Sequence, residues 1–345
     1  MTAASPTPAA AAAFVAQDDA LDLRGLSRSF RDLVAVDKVD LTVARGELFG
    51  LLGPDGAGKS TLIRMLATVI EPTSGDAFVL GDSVVSNADA IKPSTGYMSQ
   101  RFSLYPDLTV AENLDFFAEL RGVPRAEKAK RAEDLLRFAG LTGFESRQAQ
   151  FLSGGMKQKL ALAATLIHEP DVIFLDEPTT GVDPVSRREF WRILAGLHRR
   201  GITIVVATPY MDEAELCTRA AFMDQGRILL TDTPAAIKQG VSGRLVEATV
   251  DDHHKAMPVA RALPFVHSVD LYGESLQIIV GDEDRDAEDS IRAALEAAGV
   301  KVGHVEPAPM SMEVAFARIM AEAGSSAAFE KEAAVAAGAR EGSAE

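Results

Sequence analysis

Gly53-Pro54-Asp55-Gly56-Ala57-Gly58-Lys59-Ser60-Thr61 reads G-x-x-x-x-G-K-S, the spacing of a phosphate-cradling loop. Before it, Glu47-Leu48-Phe49-Gly50-Leu51-Leu52 is a short apolar run suited to a buried strand. After it, Thr61-Leu62-Ile63-Arg64-Met65-Leu66 carries apolar residues at helical spacing. Strand, glycine turn and helix is the setting the motif needs. Glycines let backbone N–H groups curl inward, and the helix N-terminus adds partial positive charge, so the turn attracts anions. Lys59 is placed to reach β- and γ-phosphates, and the Ser60 hydroxyl to ligate Mg²⁺. A glycine-rich turn without a ligand is the plain alternative, and the flanking strand and helix count against it. The stretch predicts a nucleoside triphosphate site.

At 345 residues the chain can hold two domains. Its formal net charge of −15 argues against a nucleic-acid surface, which needs a basic patch. The single cysteine, Cys217, allows no disulfide within the chain and suits a reducing compartment. No apolar run approaches the length of a membrane span, and Met1 to Ala13 lacks the basic start and Leu-rich centre of a secretory signal. Residues 1–18 are expected to be a disordered tail.

Leu21 to Phe30 and Val34 to Val43 read as strands, with Val39, Leu41 and Val43 alternating against Asp40 and Thr42. The helix after the loop is expected to run to the turn cluster Glu71-Pro72-Thr73-Ser74-Gly75, with a short strand over Asp76 to Leu80 and another ending at Gln100. From about 101 to 160 the character changes. Val110 to Leu120 and Ala126 to Ala139 read as helices, and Leu152-Ser153-Gly154-Gly155-Met156 opens a third from Lys157 to His168. Asp171 to Glu177 is an apolar strand ending in two carboxylates, followed by a helix from Glu189 and a buried strand over Ile202 to Ala207. Adjacent carboxylates at a strand end repel unless a cation or proton intervenes; a solvated strand end is the alternative.

Together these ordered motifs resemble the ATP-binding-cassette (ABC) ATPases, the nucleotide-binding subunits of ATP-driven transporters, over about Leu21 to Gly240. The resemblance implies an α/β P-loop NTPase core with an antiparallel β subdomain and a helical insert, binding ATP and Mg²⁺. It makes Gly53 to Thr61 the nucleotide cradle, with Phe30 stacking on adenine, although an aromatic at a strand end, taken alone, is more often core. Gln100 matches the glutamine that touches Mg²⁺ or the attacking water. Asp176 would hold the metal through water, with Ser60, while Glu177 acts as general base. Ser153, Gly154 and Gly155 match the LSGGQ signature, with Met156 in place of Gln, and would approach the γ-phosphate on a partner subunit. That signature implies a dimer, with a second copy or a paralogue. Asp183 would lie at the subunit contact. The insert, with Phe102, Leu104 and Tyr105, would receive a coupling helix from membrane permease subunits on separate chains.

Besides Met156, two positions depart from the family pattern. Asp55 stands where Asn is frequent, and is expected to point outward. Pro209 stands where a switch histidine would contact the γ-phosphate, and proline has no side-chain donor.

Beyond Gly240 the pattern is β-α-β-β-α-β, consistent with a small α+β, ferredoxin-like domain over 241–322. Ser311 to Phe316 looks like the closing helix start of the drug- and polysaccharide-export branch. His253-His254 lacks ligand spacing and reads as a solvated turn. Residues 323–345 are Ala-, Gly- and Glu-rich, expected to be disordered. The leading expectation is the ATP-hydrolysing subunit of an ABC-2 type exporter at the cytoplasmic membrane face. The alternatives are a slowly hydrolysing partner in an asymmetric heterodimer, suggested by Pro209, and a soluble non-transport ABC ATPase.

Overall fold

A computed structural model describes residues 19–100, 104–281, 284 and 286–322. The two expected tails and Phe102 lie outside the described residues. The chain divides into two compact units, Met1–Thr231 and Asp232–Glu345. The sequence placed the change of domain at Gly240; by its contacts, helix Pro234–Gly240 falls within the second unit.

The first unit runs β1 (Asp19–Phe30), β2 (Leu33–Ala44), β3 (Leu48–Leu52), α1 (Lys59–Leu66), β4 (Ser74–Val79), β5 (Asp82–Ser83), α2 (Ala88–Ile91) and β6 (Thr95–Met98). It continues through α3 (Val110–Leu120), α4 (Arg125–Ala139), α5 (Gly154–Leu166), β7 (Val172–Asp176), α6 (Pro184–His198), β8 (Thr203–Thr208), α7 (Met211–Ala214), β9 (Arg219–Asp224) and β10 (Arg227–Asp232). A six-stranded sheet has the order β10-β9-β3-β8-β7-β6. Strands β3, β7 and β8 are buried throughout, which is why they read as continuous apolar runs.

The register positions the site. β3 pairs in parallel with β8, setting Leu52 opposite Thr208, and β7 pairs in parallel with β8, setting Asp176 opposite Ala207. The phosphate loop, Glu177 and Pro209 therefore all leave the sheet at one level, at the carboxyl ends of parallel strands, where ligands of such sheets bind.

A second sheet, β2-β1-β4-β5, is antiparallel. Val39, Leu41 and Val43 point inward from β2 while Asp40 and Thr42 face out, as the alternation predicts. The inward set packs in one cluster with Phe49 and Leu51 of β3, Leu62 and Met65 of α1 and Phe174 of β7. The helical insert has its own core, in which Val110, Leu114, Leu136, Leu160 and Ala163 join α3, α4 and α5. Thr109 starts α3 with a reciprocal cap: its hydroxyl accepts from Glu112 N–H, and the Glu112 carboxylate accepts from Thr109 N–H.

Several boundaries differ from expectation. Helix α1 stops at Leu66, because Thr68 turns left-handed at φ 56°. β6 ends at Met98, short of Gln100. Helix α6 begins at Pro184, five residues early: Asp183 accepts from Val185 and Ser186 N–H, and proline suits the first helical position.

The second unit comprises α8 (Pro234–Gly240), β11 (Arg244–Val250), α9 (His253–Arg261), β12 (Val266–Tyr272), β13 (Ser275–Val280), α10 (Ala287–Ala297), β14 (Val302–Ala308) and α11 (Met312–Glu322). Its sheet, ordered β12-β13-β11-β14, has antiparallel neighbours throughout, the split β-α-β arrangement expected of β-α-β-β-α-β. Ala256, Ala260, Ile291 and Leu295 of α9 and α10 pack on Val246, Ala248 and Ile278. Leu245 and Ile279 meet Val314 of α11. His253 and His254 open α9 rather than forming a solvated turn, because Asp252 caps the helix through Lys255 N–H.

Candidate active site

The loop between β3 and α1 is held by close backbone approach. A Cβ on Gly53 would lie 2.1 Å from Met223 O, and one on Gly58 2.2 Å from Ala35 O, both at positive φ. Only glycine fits either position. Between them Asp55 and Gly56 are exposed, so Asp55 points outward. Lys59 is buried, and its Nζ donates to Gly53 O at 2.8 Å and Pro54 O at 2.9 Å. The ammonium thus lies within the curl of the loop, 3.8 Å from Glu177 Oε1.

Asp176, at the end of β7, is fully buried. Ser60 Oγ donates to its Oδ1 at 2.5 Å, and Tyr97 OH donates to Oδ2 at 3.5 Å, with Arg64 at 3.6 Å. Strand pairing thus brings α1 and β7 to one point, with a hydroxyl and a carboxylate together. Oxygen donors of this kind suit a hard cation such as Mg²⁺, which keeps its remaining positions for water and phosphate. Among the described residues no group of three His, Cys, Asp or Glu side chains could hold a metal unaided.

Glu177 follows in the left-handed region at φ 51°, a conformation a non-glycine residue keeps only under restraint. Its N–H donates to Ala207 O at 2.9 Å. Its Oε2 accepts from Gln100 Nε2 at 2.8 Å and Thr180 Oγ1 at 3.3 Å. Burial pushes the carboxyl above its ordinary value; the charges of Asp55 and Asp176 push the same way, while Lys59 and Thr180 oppose them. Asp55 therefore acts on the site through its charge although its side chain faces solvent.

A cavity of about 560 Å³ opens beside this cluster. It is lined by Phe30, Leu33, Val34 and Ala35 from the β1–β2 hairpin, by Gly56, Gly58, Lys59, Ser60 and Thr61 from the loop and α1, and by Glu177 and Gln225. The Phe30 ring is 43% exposed, with the Arg28 guanidinium 4.6 Å from its centroid, so it is not a core residue. Asp176 and Gln100 stand behind the lining, through Ser60 and Glu177. A larger cavity, about 730 Å³, lies among α4 and the turns after α5 and α6 and contains none of the motif residues. Charge and hydrogen-bonding capacity, not volume, single out the smaller one.

Ser153, Gly154 and Gly155 are elsewhere. Ser153 caps α5, its Oγ accepting from Met156 N–H at 3.3 Å, and Ser153 and Gly154 are exposed. Gly155 is buried; a Cβ there would meet Ser186 Oγ at 2.4 Å. None of the three lines the cavity holding Lys59.

The sequence reading missed Leu33, Val34 and Gln225 in the wall, and Tyr97, Arg64 and Thr180 around the carboxylates. It also missed Glu213, a buried carboxylate in α7 bonded to Thr179 and Thr208. Exposed apolar residues at the β1–β2 turn were the one available signal, since a hairpin tip gains nothing from Leu33 and Val34 unless something covers them.

Residues 36–180 match the family model described as ABC transporter. The chain is 41% identical over 313 residues to the probable multidrug ABC transporter ATP-binding protein YbhF of Escherichia coli K12, covering 90% of this chain and 53% of YbhF, so it spans about half that relative's length. It is 35% identical to the daunorubicin/doxorubicin resistance ATP-binding protein DrrA of Streptomyces peucetius, over 80% of this chain and 84% of DrrA. Among solved structures, cbiO1 of Clostridium perfringens, part of the ABC transporter complex cbiONQ, superposes with a TM-score of 0.59 at 28% identity, over 64% of this chain and 90% of cbiO1. A dimeric ATP-binding cassette in a post-hydrolysis state with ADP and Pi gives 0.57 at 26% identity, over 62% of this chain and 98% of the cassette. With DrrA 35% identical and matched over most of its length, the chain belongs to the ABC transporter family of ATP-binding proteins.

Proposed function

We propose that the chain is the ATP-binding and ATP-hydrolysing subunit of an ABC-2 type exporter, working as a dimer on separate membrane permease subunits at the cytoplasmic face. The observation that carries this is one cluster, lining or directly backing one cavity: Lys59 inside the glycine loop, Ser60 on Asp176, and Gln100 and Lys59 on Glu177.

The loop N–H groups and Lys59 hold the triphosphate, and Phe30 offers a face for the base. Ser60 and Asp176 would hold Mg²⁺, which would supply charge neutralisation of the phosphates. Glu177 takes the proton of the attacking water, and burial, by raising its pKa, makes it a stronger base for that task. Gln100 orients Glu177. The signature turn Ser153–Gly155 serves the nucleotide of a partner, either a second copy or a paralogue, because it lies outside its own chain's cavity. The naming of DrrA and of the Nod factor export ATP-binding protein I of Rhizobium sp. N33, 38% identical over 77% of this chain and 88% of that protein, supports export. It does not favour a degenerate or non-transport ATPase. No described helix is long and apolar enough to cross a membrane, and Leu104 and the exposed Tyr105 offer a surface on the insert for a permease.

The test is binding of a fluorescent ATP analogue and ATP turnover by the full chain, together with its recovery in the membrane fraction when permease subunits are co-expressed. Binding and turnover that vanish in Lys59→Ala support the reading. Analogue binding indifferent to Lys59 contradicts it.

A further inference from the structure

Glu213 is a carboxylate that the site as described leaves without a task. It is 1% exposed, on a helix of one turn that follows Thr208-Pro209-Tyr210. Its Oε1 accepts from Thr179 Oγ1 at 2.7 Å, and its Oε2 accepts from Thr208 Oγ1 at 2.6 Å. Both threonines are themselves buried. The Thr208 hydroxyl also accepts from Tyr210 N–H at 3.1 Å, so its single proton goes to the carboxylate. Arg187 Nε approaches Oε1 at 3.5 Å, and the same guanidinium pairs with Asp212 and lies 4.5 Å from the Tyr210 ring centroid.

These contacts join two segments that matter. Thr179 is two residues beyond Glu177. Thr208 is one residue before Pro209 and adjacent to Ala207, whose carbonyl accepts the Glu177 N–H. Glu177 sits in the left-handed region, which persists only where surroundings restrain both sides of the residue. On its N-terminal side the restraint is the β7–β8 ladder. On its C-terminal side it is the segment pinned through Thr179. A fully buried carboxylate satisfied by hydroxyls from both strand ends is a rigid clamp, costly to leave half-made.

We propose that Glu213 is a positioning residue for ATP hydrolysis: its carboxylate ties the segment after Glu177 to the loop after β8 and holds Glu177 facing the cavity. The inference rests on the hydrolytic reading above. It gives the loop carrying Pro209 a fixed place that depends on no histidine at position 209.

The experiment uses the full chain and measures kcat, KM and affinity for a fluorescent ATP analogue for the parent, Glu213→Ala, Glu213→Gln and Thr179→Val. Glu213→Ala is expected to lower kcat by about tenfold or more, with KM and analogue affinity within about threefold of the parent. Glu213→Gln recovers most of the loss, because the amide keeps the shape, its oxygen still accepts from one threonine, and the other hydroxyl can turn to accept from its NH₂. Thr179→Val, which is isosteric and keeps the buried charge bonded to Thr208, gives an intermediate fall in kcat. The proposal is overturned if Thr179→Val and Glu213→Ala both keep kcat within about twofold of the parent, or if kcat and analogue affinity fall together. It is overturned too if Glu213→Gln is as impaired as Glu213→Ala. A parent that binds no analogue defeats the hydrolytic reading along with it, whereas a parent that turns over ATP as fast as its variants defeats only the role of Glu213.

Discussion

The two motif-bearing ends of the first unit differ in how complete they are. Around the phosphate loop, each buried charge has a partner within the chain: Lys59 on the Gly53 and Pro54 carbonyls, Asp176 on Ser60, Glu177 on Gln100. At the start of α5, Ser153 bonds only back to its own helix through Met156, and Ser153 and Gly154 face solvent. The first is an arranged electrostatic site; the second, on the reading proposed above, is half of one, an anion-receptive helix end. On that reading, a site divided in this way would make hydrolysis depend on association and let ATP control that association.

The strongest way to break the complete half is Glu177→Gln. Removing the base should lower turnover by roughly 10²- to 10⁴-fold while ATP-analogue affinity stays near the parent's, measured by single-turnover kinetics and equilibrium binding. Comparable turnover in this variant would remove Glu177 from the chemistry.

The exposed half is probed by two neighbouring glycines with different surroundings. A Cβ at Gly154 meets nothing within 4 Å among the described residues, so Gly154→Asp should leave the melting temperature unchanged while cutting turnover by about tenfold or more, through like charge against the partner's triphosphate. Gly155→Ala instead drives a methyl into Ser186 and should cost about 1–3 kcal/mol of stability, read by denaturant unfolding. If Gly154→Asp lost stability and kept turnover, the division between the halves would be wrong.

Phe30→Ala sharpens the comparison on the cavity's apolar wall. Losing one stacking face should weaken analogue affinity by roughly 2- to 12-fold and leave kcat unchanged. The smallest effect is on stability against pH. Glu177's pKa in the fold lies above its ordinary value of 4.5, so the folded chain holds that proton more tightly than the unfolded chain does. Ionisation therefore costs stability once pH rises through the folded value, and nothing below the unfolded one. Glu177→Gln should accordingly gain melting temperature over the parent at pH 8 and not at pH 4, by calorimetry.

What could be read in the sequence was local. Strand, glycine turn and helix at residues 48–66 are adjacent, and the paired carboxylates close an apolar run, so neither needs tertiary information. What could not be read depends on register. Glu213 sits in Met211-Asp212-Glu213-Ala214-Glu215, which looks like an ordinary acidic surface turn. Only the pairing of β7 with β8 brings Thr179 and Thr208 to it and buries it. Tyr97, Arg64 and Gln225 escaped for the same reason. The start of α6 escaped for another: Pro184 reads as a turn residue, and the Asp183 side chain that turns it into a first helical position is a feature of the fold.

The central claim, one nucleotide held by the Lys59 loop of one subunit and covered by the Ser153 turn of another, is tested most directly by mixing two inactive variants. Lys59→Ala loses the loop and keeps the turn; Ser153→Arg loses the turn and keeps the loop. Each alone should be inactive, and an equal mixture should regain about a quarter of the parent's turnover, because half the dimers are mixed and each of these holds one intact site of two. A mixture as inactive as its components, from chains that still bind or associate as the parent does, would contradict the account.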